Sequence, residues 1–213
     1  NSMAQIHIPK EIPIRFLPRS KGANVYFGIL ILLGLISFVG TLIRDPDQAW
    51  RGYVVNWLFF TSVACGAMAL VAATTITKAR WNWSVRRVGL AFSAFLPISF
   101  LLFLPMLGLG DRYFPWIEAM AFDPIVQNKA AYLNLPFLIT RNLVGLALLF
   151  GTFLYMAYLA VRPDMGLVKS GGHAGSDAAR SRWLERLTSG WRGQEAEEVR
   201  SHKALKKIAP AAV

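Results

Sequence analysis

Four runs of about 20 or more apolar residues divide this sequence, each long enough to cross the hydrocarbon core of a bilayer as a helix. They are Asn24–Ile43, Tyr53–Thr77, Val88–Gly110 and Pro136–Ala160. The apolar residues come in blocks rather than in stripes. A helix that is apolar all round has to be surrounded by lipid or buried in a large core. Within lipid every backbone polar group has to be satisfied internally, which leaves helices or a closed barrel. Runs of this length select helices. The charged fraction is 16%, against about 25% in soluble chains. The expected fold is an all-α integral membrane protein, with four transmembrane helices in a bundle and a cytoplasmic helical tail. Residues 1–23 read as an extended cytoplasmic arm, 24–160 as the transmembrane domain, and 161–213 as a basic, partly helical cytoplasmic tail.

Lysine and arginine placement sets the orientation, because cytoplasmic flanks carry the excess. Residues 1–23 hold Lys10, Arg15, Arg19 and Lys21. The segment between the second and third runs holds Lys78, Arg80, Arg86 and Arg87, and the tail carries ten basic residues against six acidic. The other two connections hold only Arg44 with Arg51, and Arg112 with Lys129. Both termini are therefore expected on the cytoplasmic side of a bacterial inner membrane. The formal charge of +11 belongs to this topology signal, and no nucleic-acid partner is expected. The amino-terminal stretch, with Pro9, Pro13 and Pro18, has no short apolar core ahead of a cleavage site and is not a signal peptide.

Several chemistries are disfavoured. Cys65 is the one cysteine, too few for an iron–sulfur cluster, which needs about four thiolates. His7, His173 and His202 all lie outside the apolar runs, which argues against a haem held within the bilayer. No phosphate-binding glycine loop, zinc spacing or nucleophile elbow occurs.

The aromatic residues Trp50, Tyr53, Trp57, Trp81, Trp83, Tyr113, Trp116, Tyr155 and Tyr158 sit at run ends, the positions of an interfacial belt. Pro97 and Pro105 predict a broken third helix. Small residues in the second run, such as Ala64, Gly66 and Ala72, predict close helix approach. Glycine-rich residues 161–175 read as flexible. Beyond them Ser176 caps a helix whose Trp183, Leu184, Leu187 and Trp191 share a face. That helix lies on the membrane surface or docks on a partner subunit. Ile208–Val213 turns apolar as if a further span followed, as in the amino-terminal part of a longer protein or a split subunit.

Polar residues at membrane depth are functional candidates. Arg141 and Asn142 lie in the fourth run, and Asn56 and Trp57 in the second. At 1.5 Å per residue, Asn56 stands roughly 5 Å and Arg141 roughly 8 Å below the outer ends of their runs. The loop at that end contributes Asp111, Arg112, Glu118, Lys129 and Tyr132. Such a cluster binds a polar ring such as a quinone headgroup, or relays protons. The structural alternative is that Arg141 snorkels or locks the loop by pairing with Asp111 or Glu118.

Two segments, DPDQAWRGYVVNWLFFTSVACGAMALVAA and KAAYLNLPFLITRNL, resemble the NrfD-like membrane subunits of alternative complex III, a bacterial quinol:cytochrome c oxidoreductase. The closer likeness is to its F subunit, over about Asp45–Ala160. The resemblance implies a bundle around a quinone-type pocket near the periplasmic face, with no redox cofactor bound by this chain. It implies as partners a second NrfD-like subunit, a periplasmic iron–sulfur subunit, haem c subunits and lipids. It marks Asn56, Trp57, Lys129, Tyr132, Asn134, Arg141 and Asn142 as motif positions without a catalytic role. The expected function is quinol binding or proton translocation within such a complex. A structural or assembly subunit with no ligand of its own is the alternative. Members of the family carry more than four spans, and the quinol site is more often assigned to the F subunit's paralogue.

Overall fold

The computed structural model describes residues 20–79, 83–108, 114, 116–170 and 178–212. Helices account for nearly all of them, and no strand occurs among the described residues. Four segments are long and apolar enough to cross a membrane: Lys21–Arg44, Pro46–Ile76, Val85–Gly108 and Leu135–Lys169. The expected all-α, four-span, multi-pass architecture holds. Of residues 1–23, expected as an extended arm, 1–19 fall outside the described residues and 21–23 form the first turn of a helix.

Helix α1, Lys21–Arg44, begins where the Ser20 hydroxyl accepts the Ala23 N–H at 3.2 Å. It stops at Asp45, which serves two helices. Its backbone N–H donates to the Thr41 carbonyl, and its side chain accepts from Gln48 N at 3.0 Å to cap α2, Pro46–Ile76. Pro46, at the first turn of α2, is suited to that place because its missing N–H would be unpaired anyway. This cap starts α2 at Pro46 rather than at Tyr53, where the apolar run begins. α1 buries no residue of its own. Near the joint, its Phe38 ring lies 5.6 Å from the rings of both Trp50 and Tyr53.

The third span is broken, as its prolines require. It comprises α3, Trp83–Phe92; a 3₁₀ turn, Ser93–Phe95; α4, Leu96–Phe103; and a second 3₁₀ segment, Leu104–Gly108. Pro97 lies in the first turn of α4, where no hydrogen bond is lost. Pro105 lies inside the second 3₁₀ segment. The Leu104 N–H bonds to Leu101 O, so in that register the donor for Leu102 O would be Pro105, which has no N–H. The Tyr53 hydroxyl donates to that carbonyl instead, at 2.6 Å. Close packing of α3 on α2 centres on Gly89. A Cβ there would stand 2.7 Å from Val71 Cγ2 and 3.1 Å from Ala67 O.

Short helices α5, Trp116–Ala119, and α6, Pro124–Gln127, precede α7, Leu135–Ser170. At 36 residues, α7 is about 54 Å long, well beyond the roughly 30 Å of hydrocarbon. It runs unbroken through residue 160 and through Pro163. Residues 161–170 are therefore helix, which corrects the flexible reading of 161–175 over its first ten residues; residues 171–177 are not described. Gly166 serves packing rather than flexibility. A Cβ there would fall 1.8 Å from the Trp191 ring, so only glycine admits the indole against α7.

The tail folds back along α7. Helix α8, Ala178–Leu187, is followed by α9, Gln194–Ile208, and a 3₁₀ turn, Ala209–Ala212. Trp191 meets Gly166, Glu197 meets Arg162, and Leu205 shares a core with Leu159, so α9 runs antiparallel to α7. Its buried stripe is Glu197, Ser201, Leu205 and Ala209, spaced by four residues as one helix face requires. Leu205, Ala209 and Ala212 join Ala64, Met68, Val71 and Ala72 of α2, Leu96 of α4, and Phe150, Phe153 and Met156 of α7 in a single apolar core. Within the apolar end read as the approach to another span, Ala209 and Ala212 pack in this core. The face expected to dock on a membrane or a partner belongs to α8: Leu184 is buried and Trp191 meets Gly166 of α7, while Trp183 stays 63% exposed.

A buried ion pair holds this arrangement. Arg162 Nε donates to Glu197 Oε2 at 2.8 Å, and the two side chains are 8% and 0% exposed. The rest of the guanidinium donates to the Tyr158 hydroxyl, to Ser189 O at 2.9 Å, and to Leu187 O at 3.3 Å. Those carbonyls lie at the end of α8 and just beyond it, so one arginine ties α7, α8 and α9 together.

Candidate functional site

At the end of the bundle opposite the tail, α2, α4, the second 3₁₀ segment and α7 enclose a cavity of about 400 Å³. This lies within the range typical of small-ligand sites. Its walls are apolar, with Leu58, Phe103, Met106, Leu138 and Ile139 among them, and among the described residues polar side chains enter only from Trp57 and Asn142. Phe103 is tilted 30° to the Trp57 ring at 5.3 Å. A planar ligand ring would lie against aromatic and branched aliphatic side chains.

The two polar groups differ in what they have free. Trp57 Nε1 donates to Ser99 O at 2.9 Å and is committed to joining α2 to α4. One turn further along α2, the Thr61 and Ser99 hydroxyls pair at 2.6 Å. Together with Tyr53 these residues form a ladder across the helix pair, so Tyr53 and Trp57, read as belt residues, also serve as interhelical donors. Asn142 makes no hydrogen bond to any of the described residues, and it lines the cavity with both a donor and an acceptor available.

The other candidates are placed as follows. Asn56 and Arg141 do not line the cavity; the side chains that do are their chain neighbours, Trp57 and Asn142. Asn56 is exposed and its Nδ2 donates to Gly52 O within α2. The Arg141 guanidinium lies 4.3 Å over the Tyr132 ring and 5.5 Å from the Phe137 ring. Its buried Nη1 has no hydrogen-bond partner among the described residues, so aromatic faces stabilise that charge. No ion pair forms between Arg141 and Glu118, which is exposed, as is Lys129. Asn134 caps α7: its Oδ1 accepts from Phe137 N at 2.9 Å, and its Nδ2 donates to Ala130 O and Ala131 O. Asp111 and Arg112 lie outside the described residues. Of the ten candidates, Trp57 and Asn142 share a site; Tyr132 and Arg141 form a separate stacked pair.

Sequence reading missed Arg162 and Glu197. Arg162 stands just past an apolar run and looks like a flanking charge. One signal was available: Tyr158 and Arg162 are four apart on one helix face, and Glu197, Ser201 and Leu205 repeat that spacing on another. Nothing local says that the two faces meet. Tyr158, read as a belt residue, is a member of this network. No protein-family profile matches this chain, and no curated protein matches it.

Proposed function

We propose that this chain is a transmembrane subunit of a respiratory quinol:cytochrome c oxidoreductase in a bacterial inner membrane, and that the cavity between α2, α4 and α7 receives the quinol ring. One observation carries the reading. An apolar cavity of about 400 Å³ presents one uncommitted amide, Asn142, beside the aromatic wall of Trp57 and Phe103. A quinol offers a flat ring for that wall and hydroxyls for that amide, and an isoprenoid tail suits the surrounding lipid. Lysine and arginine placement puts this end of the bundle on the periplasmic side. There, an iron–sulfur partner and haem c subunits would take the electrons. The resemblance of Asp45–Ala160 to NrfD-like subunits supports the same assignment, with a second NrfD-like subunit as a neighbour.

The test uses the purified assembly. A photoreactive quinone should label residues lining the cavity, and Asn142→Leu should raise the KM for quinol roughly three- to tenfold, the worth of one hydrogen bond. Haem c and iron–sulfur absorption should co-purify. Absence of those chromophores would reject the complex. Labelling elsewhere, with an unchanged KM, would reject the site and favour the structural-subunit reading. That second reading draws on Asn134, Trp57 and Arg141, which are already engaged in a cap, a helix bridge and an aromatic stack.

A further inference from the structure

The tail returns to membrane depth. Glu197 meets Arg162 just past the end of the fourth apolar run, and α9 runs antiparallel to α7 from there. Each later residue of α9 therefore lies about 1.5 Å further into the bundle. Counted residue for residue along the two helices, Arg200 comes roughly level with Leu159, Lys203 with Met156, and Lys206 with Phe153. Ala209 and Ala212 of the closing turn then join Met68 of α2 and Phe150 of α7 in the apolar core. Pro210 and Ala211 are exposed at that level, where a bundle in a bilayer meets hydrocarbon rather than water.

Four cations line this descent. Arg200, Lys203 and Lys207 follow one another at three and four residues along one flank of α9, with Lys206 beside them, and all four are exposed. The carboxylates lie elsewhere. Glu197 is buried against Arg162, and Glu198 stands on the opposite flank, beside Asp164 and His202. Arg200 shares Glu197 at 3.7 Å. Lys203, Lys206 and Lys207 form no ion pair among the described residues. A cation at the level of Met156 or deeper needs a counter-charge or a route back to water. Helical Cβ atoms tilt toward the amino-terminal end of their helix. For α9 that end points out of the bundle, so the lysine stems extend back toward the headgroups.

We propose that α9 is a re-entrant helix of the cytoplasmic leaflet, and that Arg200, Lys203, Lys206 and Lys207 together bind the phosphates of anionic phospholipids, of which phosphatidylglycerol is the simplest. Basic surfaces at membrane level take such lipids. Charge balance selects them here, because the flank has four cations and only a shared claim on Glu197. A zwitterionic headgroup would bring its own cation to that flank, and an anionic one does not. The acyl chains would then cover Pro210 and Ala211. This assignment is independent of the quinol reading.

The full chain reconstituted in vesicles of phosphatidylcholine and phosphatidylglycerol tests both halves of the proposal. For depth, single cysteines are placed in a Cys65→Ser background and treated with a membrane-impermeant maleimide present on both faces. Ala211→Cys should stay unlabelled while Glu195→Cys is labelled. For the lipid, photoreactive phosphatidylglycerol should label α9 in preference to the matching phosphatidylcholine. Each lysine of the flank replaced by glutamine, a good helix former, should cut that ratio by about two- to fivefold. Circular dichroism and melting temperature of the triple variant Lys203→Gln/Lys206→Gln/Lys207→Gln separate lost binding from lost folding. Labelling of Ala211→Cys as fast as Glu195→Cys overturns the re-entrant helix. Equal labelling by the two lipids, or an unchanged ratio in the folded triple variant, overturns the lipid site and gives the flank to water or to an acidic protein.

Discussion

Arg162→Met should release the tail from α7, and the size of the effect follows from the surroundings of the arginine. The guanidinium and the Glu197 carboxylate are 8% and 0% exposed. Removing one member of a buried pair generally costs about 3–5 kcal/mol, because the other charge is left in a poor dielectric. Here the arginine also serves the carbonyls of Leu187 and Ser189 and the Tyr158 hydroxyl, so Arg162→Met belongs at the upper end. Glu197→Leu should cost less, since Arg162 keeps its three neutral acceptors. After Arg162→Met the carboxylate retains only Arg200, 3.7 Å away and 61% exposed. The double variant Arg162→Met/Glu197→Leu removes both charges and should recover most of the loss, because well-packed apolar replacements of buried ion pairs are often neutral. Tryptic cleavage at Arg200 and Lys203 reads the opening of the tail. A loss of about 3–5 kcal/mol should speed it by on the order of a hundred- to a few-thousand-fold when reclosing is fast. The double-mutant cycle gives the decisive quantity, a coupling at or above about 3 kcal/mol, the upper end for residues in contact. If the double variant is cleaved as fast as the product of the two single effects requires, the pair does not act as a unit and the clamp is refuted.

Further outcomes follow from packing and hydrogen bonding. Gly166→Ala should also free the tail, by about 1–3 kcal/mol of overpacking, and Trp191→Ala should abolish that sensitivity; a Gly166→Ala protein with native tryptic resistance contradicts the contact. Tyr53→Phe strands the carbonyl at Leu102 and should lower stability by about 1 kcal/mol, seen as a lower melting temperature in detergent. Arg141→Leu should leave quinol turnover intact while loosening the Tyr132 turn by about 0.5–2 kcal/mol, the worth of the cation–π stack. Hydrogen exchange of residues 129–134 measures that loosening, and a loss of turnover in an assembled complex contradicts it.

The spans were legible because lipid imposes a single demand, continuous apolar helix, and each run states it locally. The break at Pro97 and Pro105 was legible for the same reason, since proline acts on its own backbone. The ends of the helices were less so. The Asp45–Pro46 cap starts α2 before the apolar residues begin, and α7 continues past them because the folded-back tail covers its far end. Among the candidate residues, depth in the membrane was readable and direction was not. Adjacent helical residues point about 100° apart, so Trp57 and Asn142 enter a common cavity while Asn56 and Arg141 do not. The Arg162–Glu197 pair was hidden because its members are 35 residues apart and each looks like an ordinary surface charge until the tail turns back.

The joint at Asp45 bears on how the protein reaches its membrane. One residue closes α1 and opens α2, too short a link for the two helices to be threaded separately. The ribosome and the insertion machinery would meet a ready-made helical hairpin with Asp45 at its tip. With no buried residue of its own, α1 would gain its place from that shared passage rather than from a socket in the core. A longer linker at Asp45 should therefore alter the efficiency of insertion before it alters the stability of the finished bundle.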